Sequence, residues 1–122
     1  MNLLAQDAVK LFESPAPESV YAYSPGIASL PSGRLVATID VGGPGAADLA
    51  GEKWRPDGWD WYIQGRSYTS DDGGQTWIHR GNFPFIHARP FTAGGAVYIL
   101  GQDGDLMIMR SDDSGDTWSA PV

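Results

Sequence analysis

Two short acidic segments contain the residue types that either hold a cation or close a turn. Residues 69–77 read TSDDGGQTW and residues 110–118 read RSDDSGDTW, so the pattern Ser-x-Asp-x-Gly-x-Thr-Trp occurs twice. Clustered carboxylates with glycine resemble a calcium ligand set, but neither copy has the length or the terminal glutamate of a calcium-binding loop. We therefore predict no bound metal at these segments, and the sequence indicates no other cofactor.

A structural role explains every fixed position of this pattern, which we call the Asp motif. The central aspartate accepts hydrogen bonds from N–H groups just downstream, while glycine supplies a positive φ. The threonine hydroxyl is expected to cap the returning strand, and the tryptophan to bury an apolar face between units. The residues are Ser70, Asp72, Gly74, Thr76 and Trp77 in the first motif and Ser111, Asp113, Gly115, Thr117 and Trp118 in the second. The additional acids Asp71, Asp112 and Asp116 are expected to be solvated.

Short strands are predicted on both sides of each motif. Apolar runs at 35–41 and 96–100 follow glycine turns, and the segments 61–68 and 106–110 lead directly into the motifs. Upstream, 8–13 and 19–23 are predicted as two further short strands. The order recurs with a period of 41 residues, from Ser70 to Ser111, and propeller blades have periods of about 40–45 residues. We predict an all-β fold made of β-propeller blades.

A single partial domain is expected, with three parts. Residues 1–22 form an N-terminal strand region, 23–81 the first blade and 82–122 the second. The first blade carries a long loop, 42–60, which is rich in glycine and proline, whereas the second has only 101–105 at the same place. Long loops of this kind are usually functional, so we expect the site there.

Composition excludes several classes of function. The chain of 122 residues is 42% hydrophobic and 19% charged, which is typical of a soluble globular protein. Its net charge of −7 and the absence of a basic run argue against nucleic acid as a partner. Cysteine is absent, so disulfides and thiolate metal sites are excluded. We also expect neither a signal peptide nor a membrane-spanning segment, and the compartment stays undetermined.

Together with these motifs, residues 23–118 resemble the N-terminal blades of bacterial sialidases. The resemblance is clearest at 23–38, which read YSPGIASLPSGRLVAT. In that family the motif is the Asp box, or BNR repeat. The resemblance implies a six-bladed propeller that hydrolyses terminal sialic acid or a related glycoside. Asp boxes also occur in xyloglucan-cleaving enzymes, sortilin-like receptors and photosystem assembly factors. The alternative is therefore a non-catalytic propeller that binds glycan or protein partners.

The resemblance also implies a general acid, an aspartate on the loop after the first apolar strand. Asp48 is the candidate that matches this place best, and Asp40 is the second. Without catalysis, Asp48 would be a solvated loop carboxylate. Asp40 would then cap a turn into Gly42 and Gly43.

Substrate contacts are predicted from both units. Trp54 and Trp59 either stack on a sugar ring or form the core of their own loop. In the second unit, His87 and Arg89 occupy the place that residues 23–27 occupy in the first. Arg89 either binds an anionic group or donates hydrogen bonds to a neighbouring carboxylate or to backbone carbonyls. Tyr23 takes the place of the first carboxylate-binding arginine of the family, and a phenol cannot reproduce a guanidinium fork.

Two blades do not close a ring, since six blades of ~40 residues need about 240 residues. We expect a fragment that is inactive alone, with the nucleophilic tyrosine, its glutamate and two arginines coming from later blades. The alternative is self-assembly of identical copies into a ring, and a stable trimer would favour it.

Overall fold

Tight glycine turns join consecutive strands into two antiparallel sheets. The computed structural model describes residues 7–122. The first sheet contains β1 (Tyr21–Ser29), β2 (Leu35–Gly43), β3 (Tyr62–Ser70) and β4 (Ile78–Phe83). The second contains β5 (Ile86–Ala93), β6 (Ala96–Asp103) and β7 (Asp105–Ser111), and in both sheets the spatial order follows the chain. The all-β prediction is confirmed, and neither sheet closes on itself.

The segments predicted at 35–41 and 96–100 form the first parts of β2 and β6. Each of these strands has a neighbour on both sides in its sheet. The prediction of a strand at 8–13 is wrong, because that segment has no partner strand and lies against the first sheet. There the Arg66 guanidinium lies 5.0 Å above the Phe12 ring. The segment at 19–23 contributes only the start of β1.

No helix in residues 7–122 is long and apolar enough to cross a membrane. A backbone segment beyond β7 lies beside it, since the N–H of Val122 donates to the Ile108 carbonyl at 3.1 Å. This segment occupies the position next to β7 that β4 occupies next to β3.

The two sheets pack face to face around apolar side chains. Val36 on β2 and Val97 on β6 form one buried cluster with Leu30. A second cluster contains Phe83, Phe85, Ala88, Ile99 and Met109. Trp118 packs against both clusters, so the predicted role of this tryptophan between units is confirmed.

Each Asp motif is closed by its own side chains. Asp72 accepts hydrogen bonds from the Thr76 N–H at 2.8 Å, the Thr76 hydroxyl at 2.6 Å and the Ser70 hydroxyl at 2.8 Å. The Thr76 hydroxyl, its N–H and Ser70 together lower the pKa of Asp72 to about 2. Gly74 has a φ of 88°, as the turn requires.

The second motif repeats this geometry. Asp113 accepts from the Thr117 N–H and the Ser111 hydroxyl, each at 2.8 Å, and also from the Thr117 hydroxyl. Its pKa is likewise lowered to about 2, first by the Thr117 hydroxyl. Gly115 has a φ of 91°. The predicted roles of aspartate and glycine are confirmed, whereas threonine bonds to the aspartate rather than capping the strand.

An ion network joins the two motifs. Their additional acids are largely exposed, as predicted, with side-chain exposures of 60% for Asp71, 73% for Asp112 and 42% for Asp116. Asp71 and Asp116 also share Arg34 as a partner. The Arg34 guanidinium donates to both oxygens of Asp71, at 2.7 and 2.9 Å, and to Asp116 at 2.6 Å. Arg80 reaches the same Asp116 oxygen at 3.0 Å. Asp112 pairs only with Arg110, two residues away. Arg34 therefore links the first motif to the second.

Replacing Arg34 with glutamine is expected to lower the thermal unfolding midpoint by a few degrees, because it breaks charge-assisted hydrogen bonds to both sheets. The matched control is Arg110→Gln, which removes an exposed pair within one motif and should leave the midpoint nearly unchanged. Calorimetry measures both. Equal midpoints for the two variants would contradict the linking role of Arg34.

Candidate functional site

The two sheets have different ends, with the Asp motifs at one and the long loop at the other. At the loop end, where β2 and β6 end and β5 begins, a cavity of about 500 Å³ lies between the loop and the second sheet. Seven of the lining residues carry polar or aromatic side chains that a ligand can contact: Trp54, Arg55, Asp57, Trp59, His87, Gln102 and Asp103.

The loop is held in place by backbone and side-chain bonds. Trp54 and Ile63 exchange two backbone hydrogen bonds, at 3.0 and 2.8 Å. The buried Gln64 amide donates to the carbonyls of Ala50 and Glu52, at 2.9 and 2.8 Å. The cavity wall formed by this loop is therefore an ordered extension of the first sheet.

The loop tryptophans form a small loop core, and stacking on a sugar ring stays a prediction. Trp59 packs edge to face on Trp61, with ring centroids 6.0 Å apart, as expected for a small loop core. Trp54 and Trp59 also line the cavity. The indole N–H of Trp54 is buried and has no hydrogen-bond partner within residues 7–122.

Strand register shows that His87 corresponds to Ser24. β1 has an irregularity between Tyr23 and Gly26, and β5 has one between Ile86 and Arg89. Each irregularity contains one residue with positive φ, Ser24 at 53° and His87 at 56°. The predicted correspondence between 23–27 and the His87 segment is confirmed.

Asp40 is a buried acid between the sheets, so the prediction that it caps a turn is wrong. It has no exposed surface, and its Oδ2 accepts a hydrogen bond from the His87 N–H at 2.9 Å. Its Oδ1 has no partner in the part of the chain that the structure describes. Burial raises the pKa of Asp40, although the His87 N–H partly offsets this effect.

The His87 side chain connects this acid to the cavity. The Gln102 amide nitrogen lies 3.1 Å from Nδ1 of His87. An amide donor at Nδ1 leaves the ring proton on Nε2, which can donate to a ligand. The His87 backbone thus contacts Asp40 while its ring lines the cavity.

Three other predicted residues lie outside the cavity lining. Arg89 donates to the carbonyls of Ser24 and Ala88, at 3.0 and 2.9 Å, which is the carbonyl alternative. The Tyr23 hydroxyl is buried without a partner in residues 7–122, and burial followed by the nearby Asp40 charge raises its pKa to about 12. Asp48 is exposed, at the end of the short 3-10 helix Ala46–Asp48.

Sequence reasoning missed Arg55, Asp57, Gln102 and Asp103 as lining residues. The only signal for Arg55 was its place between Trp54 and Pro56 in the long loop. Gln102 is recognisable only after pairing is known, because it faces Ile86 as Asp40 faces Tyr23.

No known family model matches the chain, and no curated protein matches it. Within residues 7–122 there is no group of three or more histidines and carboxylates placed to hold a metal ion. The chemistry of the site therefore rests on its own side chains.

The buried carboxyl of Asp40 gives a test of this geometry by pH. An acid whose pKa is raised by folding destabilises the fold as pH rises above its unfolded value, which is about 3.9 for aspartate. Asp40→Asn stays neutral. Its free energy of unfolding should therefore rise relative to that of the wild type as the pH is raised from acid to neutral.

Chemical denaturation at several pH values measures this difference. The exposed Asp57→Asn is the matched control and should show no such trend. A difference between Asp40→Asn and the wild type that is constant with pH would show that burial does not perturb this carboxyl.

Proposed function

We propose that this chain belongs to a sialidase-like β-propeller and that the cavity at its loop end binds carbohydrate. The carrying observation is a cavity of about 500 Å³ lined by two tryptophans together with histidine, glutamine, aspartate and arginine side chains. Sites for small molecules combine apolar walls with a few convergent polar groups, and this lining has both.

A sugar offers an apolar face and a ring of hydroxyl groups. Trp54 and Trp59 supply aromatic surface for the face. Gln102 and Asp103 supply donors and acceptors for hydroxyls, and the ring N–H of His87 adds a donor.

Arg55 supports an acidic sugar as the ligand. A carboxylate is best bound by a guanidinium, and Arg55 lines the cavity. Tyr23 cannot supply this charge, and Arg89 already donates to two carbonyls. We therefore assign to Arg55 the carboxylate contact of a terminal sialic acid or a related acidic glycoside.

Arg55→Gln is expected to weaken binding of sialyllactose about tenfold, because a charge-assisted hydrogen bond is lost. Binding of lactose should change little. Titration calorimetry with both sugars measures this, and Arg110→Gln, at the motif end, is the matched control. If neither sugar binds the wild type, the carbohydrate proposal itself fails.

Hydrolysis is the leading activity for the complete protein, with Asp48 as the proposed proton donor and Asp40 as the second choice. A general acid protonates the leaving oxygen while the glycosidic bond breaks. Asp48 is exposed and able to exchange protons with solvent, whereas Asp40 has no exposed surface. Exposure therefore favours Asp48 over Asp40, and neither carboxyl is among the residues that line the cavity.

Asp48→Asn is expected to lower turnover of a fluorogenic sialoside by about 10²-fold or more, the usual contribution of a general acid. Sialyllactose affinity should stay near the wild-type value. Asp60→Asn, an exposed acid of the same loop outside the cavity lining, provides the control for loss of one loop charge. Unchanged turnover in Asp48→Asn would remove Asp48 from the reaction.

A non-catalytic propeller that binds glycans is the second candidate. The buried Tyr23, at the place where the sialidase resemblance implies an arginine, favours it. The same assay separates the two, because sialyllactose binding without any turnover by the complete protein would identify a binding module.

A further inference from the structure

Aspartate is followed directly by glycine at three places in this chain, Asp57–Gly58, Asp72–Gly73 and Asp103–Gly104. At such a bond the main-chain nitrogen of glycine can attack the aspartate carboxyl, because no side chain shields that nitrogen. We propose that Asp57–Gly58, in the wall of the loop-end cavity, is a site of spontaneous conversion to isoaspartate. This modification is independent of the carbohydrate that the cavity is proposed to bind.

The conversion needs no cofactor, oxidant or enzyme. The Gly58 nitrogen forms a bond to the side-chain carboxyl carbon of Asp57, and the hydroxyl of the protonated carboxyl leaves with the amide proton as water. The product is a succinimide ring. Water then adds to the main-chain carbonyl of the ring and breaks its bond to nitrogen, so that the chain runs through the former side-chain carbonyl. One water is lost and one is regained, and no group is oxidised or reduced.

A tight turn presents Asp57–Gly58 for this reaction. The Trp59 N–H donates to the Pro56 carbonyl at 3.1 Å, so Asp57 and Gly58 are the central residues of a β-turn. Both are exposed, and Gly58 has a φ of 80° with open space where a Cβ would lie. The side-chain hydrogen bonds of this loop are made by other residues, and none within residues 7–122 holds the Asp57 carboxylate. That carboxyl is therefore free to rotate onto the glycine nitrogen.

The first Asp motif contains the same dipeptide with its carboxylate held. Asp72 accepts hydrogen bonds from the Thr76 N–H at 2.8 Å, the Thr76 hydroxyl at 2.6 Å and the Ser70 hydroxyl at 2.8 Å. These bonds, the Thr76 hydroxyl first, lower the pKa of Asp72 to about 2. Ring closure needs the protonated carboxyl. Relative to an unfolded aspartate with a pKa of about 3.9, its fraction at neutral pH is about 10²-fold smaller.

Two further aspartates isolate the other requirements of the reaction. Asp103 ends β6 and is paired with Asp105 across the hairpin, so strand pairing restricts the main-chain rotation that ring closure requires. Asp60 is exposed in the same loop as Asp57, but Trp61 follows it in place of glycine. Of the aspartates that line the cavity, Asp57 therefore combines a following glycine, a free carboxyl and a main chain outside the sheets.

Isoaspartate at position 57 changes the wall of the cavity. It adds one methylene to the main chain of the turn that holds Trp59. Trp59 lines the cavity and packs edge to face on Trp61, with ring centroids 6.0 Å apart. The longer turn is expected to displace this aromatic ring, so the cavity loses its original shape as the chain ages.

Prolonged incubation of the whole chain at neutral pH tests the proposal. Isoaspartate is counted with an isoaspartyl carboxyl methyltransferase and a labelled methyl donor, and it is located by peptide mapping. Asp57 should convert in the folded chain at about its rate in the urea-unfolded chain, whereas folding should slow Asp72 about 10²-fold. Asp57→Glu should lose most of the signal, because glutamate has to close a larger ring. The matched control, Asp60→Glu, should accumulate isoaspartate like the wild type.

Near-UV circular dichroism follows the pair of Trp59 and Trp61 during the same incubation. The freshly prepared variants should have the wild-type spectrum, and a change with time should track the isoaspartate fraction and be absent from Asp57→Glu. Folding that slows Asp57 as strongly as Asp72 would overturn the proposal, and so would an undiminished methylation signal in Asp57→Glu. None of these readouts involves carbohydrate, so a failure to bind sugar leaves them unaffected.

Discussion

Two hydrogen bonds from one strand set the position of the second sheet against the first. On β2, the Thr38 hydroxyl donates to the Ala88 carbonyl at 3.0 Å, and Asp40 accepts from the His87 N–H at 2.9 Å. Both side chains are fully buried, so water does not compete for these bonds. Because His87 lines the cavity, its placement, and hence the shape of the site, depends on this strand.

The division of the molecule into two ends follows from the lengths of its connections. At one end, each Asp motif closes its turn locally, and Arg34 ties the two motifs together. At the other, the loop 42–60 has room to reach over the second sheet and enclose a cavity. Because the Asp motifs fix one end of the scaffold, the binding residues at the loop end can be changed without loss of the fold.

The sequence predicted what short-range chemistry determines. The hydrogen bonds of Asp72 and Asp113 span at most four residues, so the spacing of the motif was sufficient to assign them. The strands followed from apolar runs bounded by glycine. The partners of Arg34 and Asp40 lie between 37 and 82 residues away, and no local pattern encodes them. The ion pairs of Asp71 and Asp116 with Arg34 were therefore missed, and so was the buried position of Asp40.

Buried polar atoms without hydrogen-bond partners indicate where this fold gives up stability for another purpose. Within residues 7–122, four buried side-chain atoms have no partner, and those of Tyr23, Asp40 and Trp54 all lie on or beside the loop end. Each such atom costs about 1–3 kcal/mol. The motif end, by contrast, satisfies its carboxylates with hydroxyls, N–H groups and guanidinium ions. Unsatisfied polar groups concentrate at functional sites in natural proteins. Here three of the four lie on or beside the loop end, where only Trp54 lines the cavity, and the fourth is the indole N–H of Trp118 in the second Asp motif.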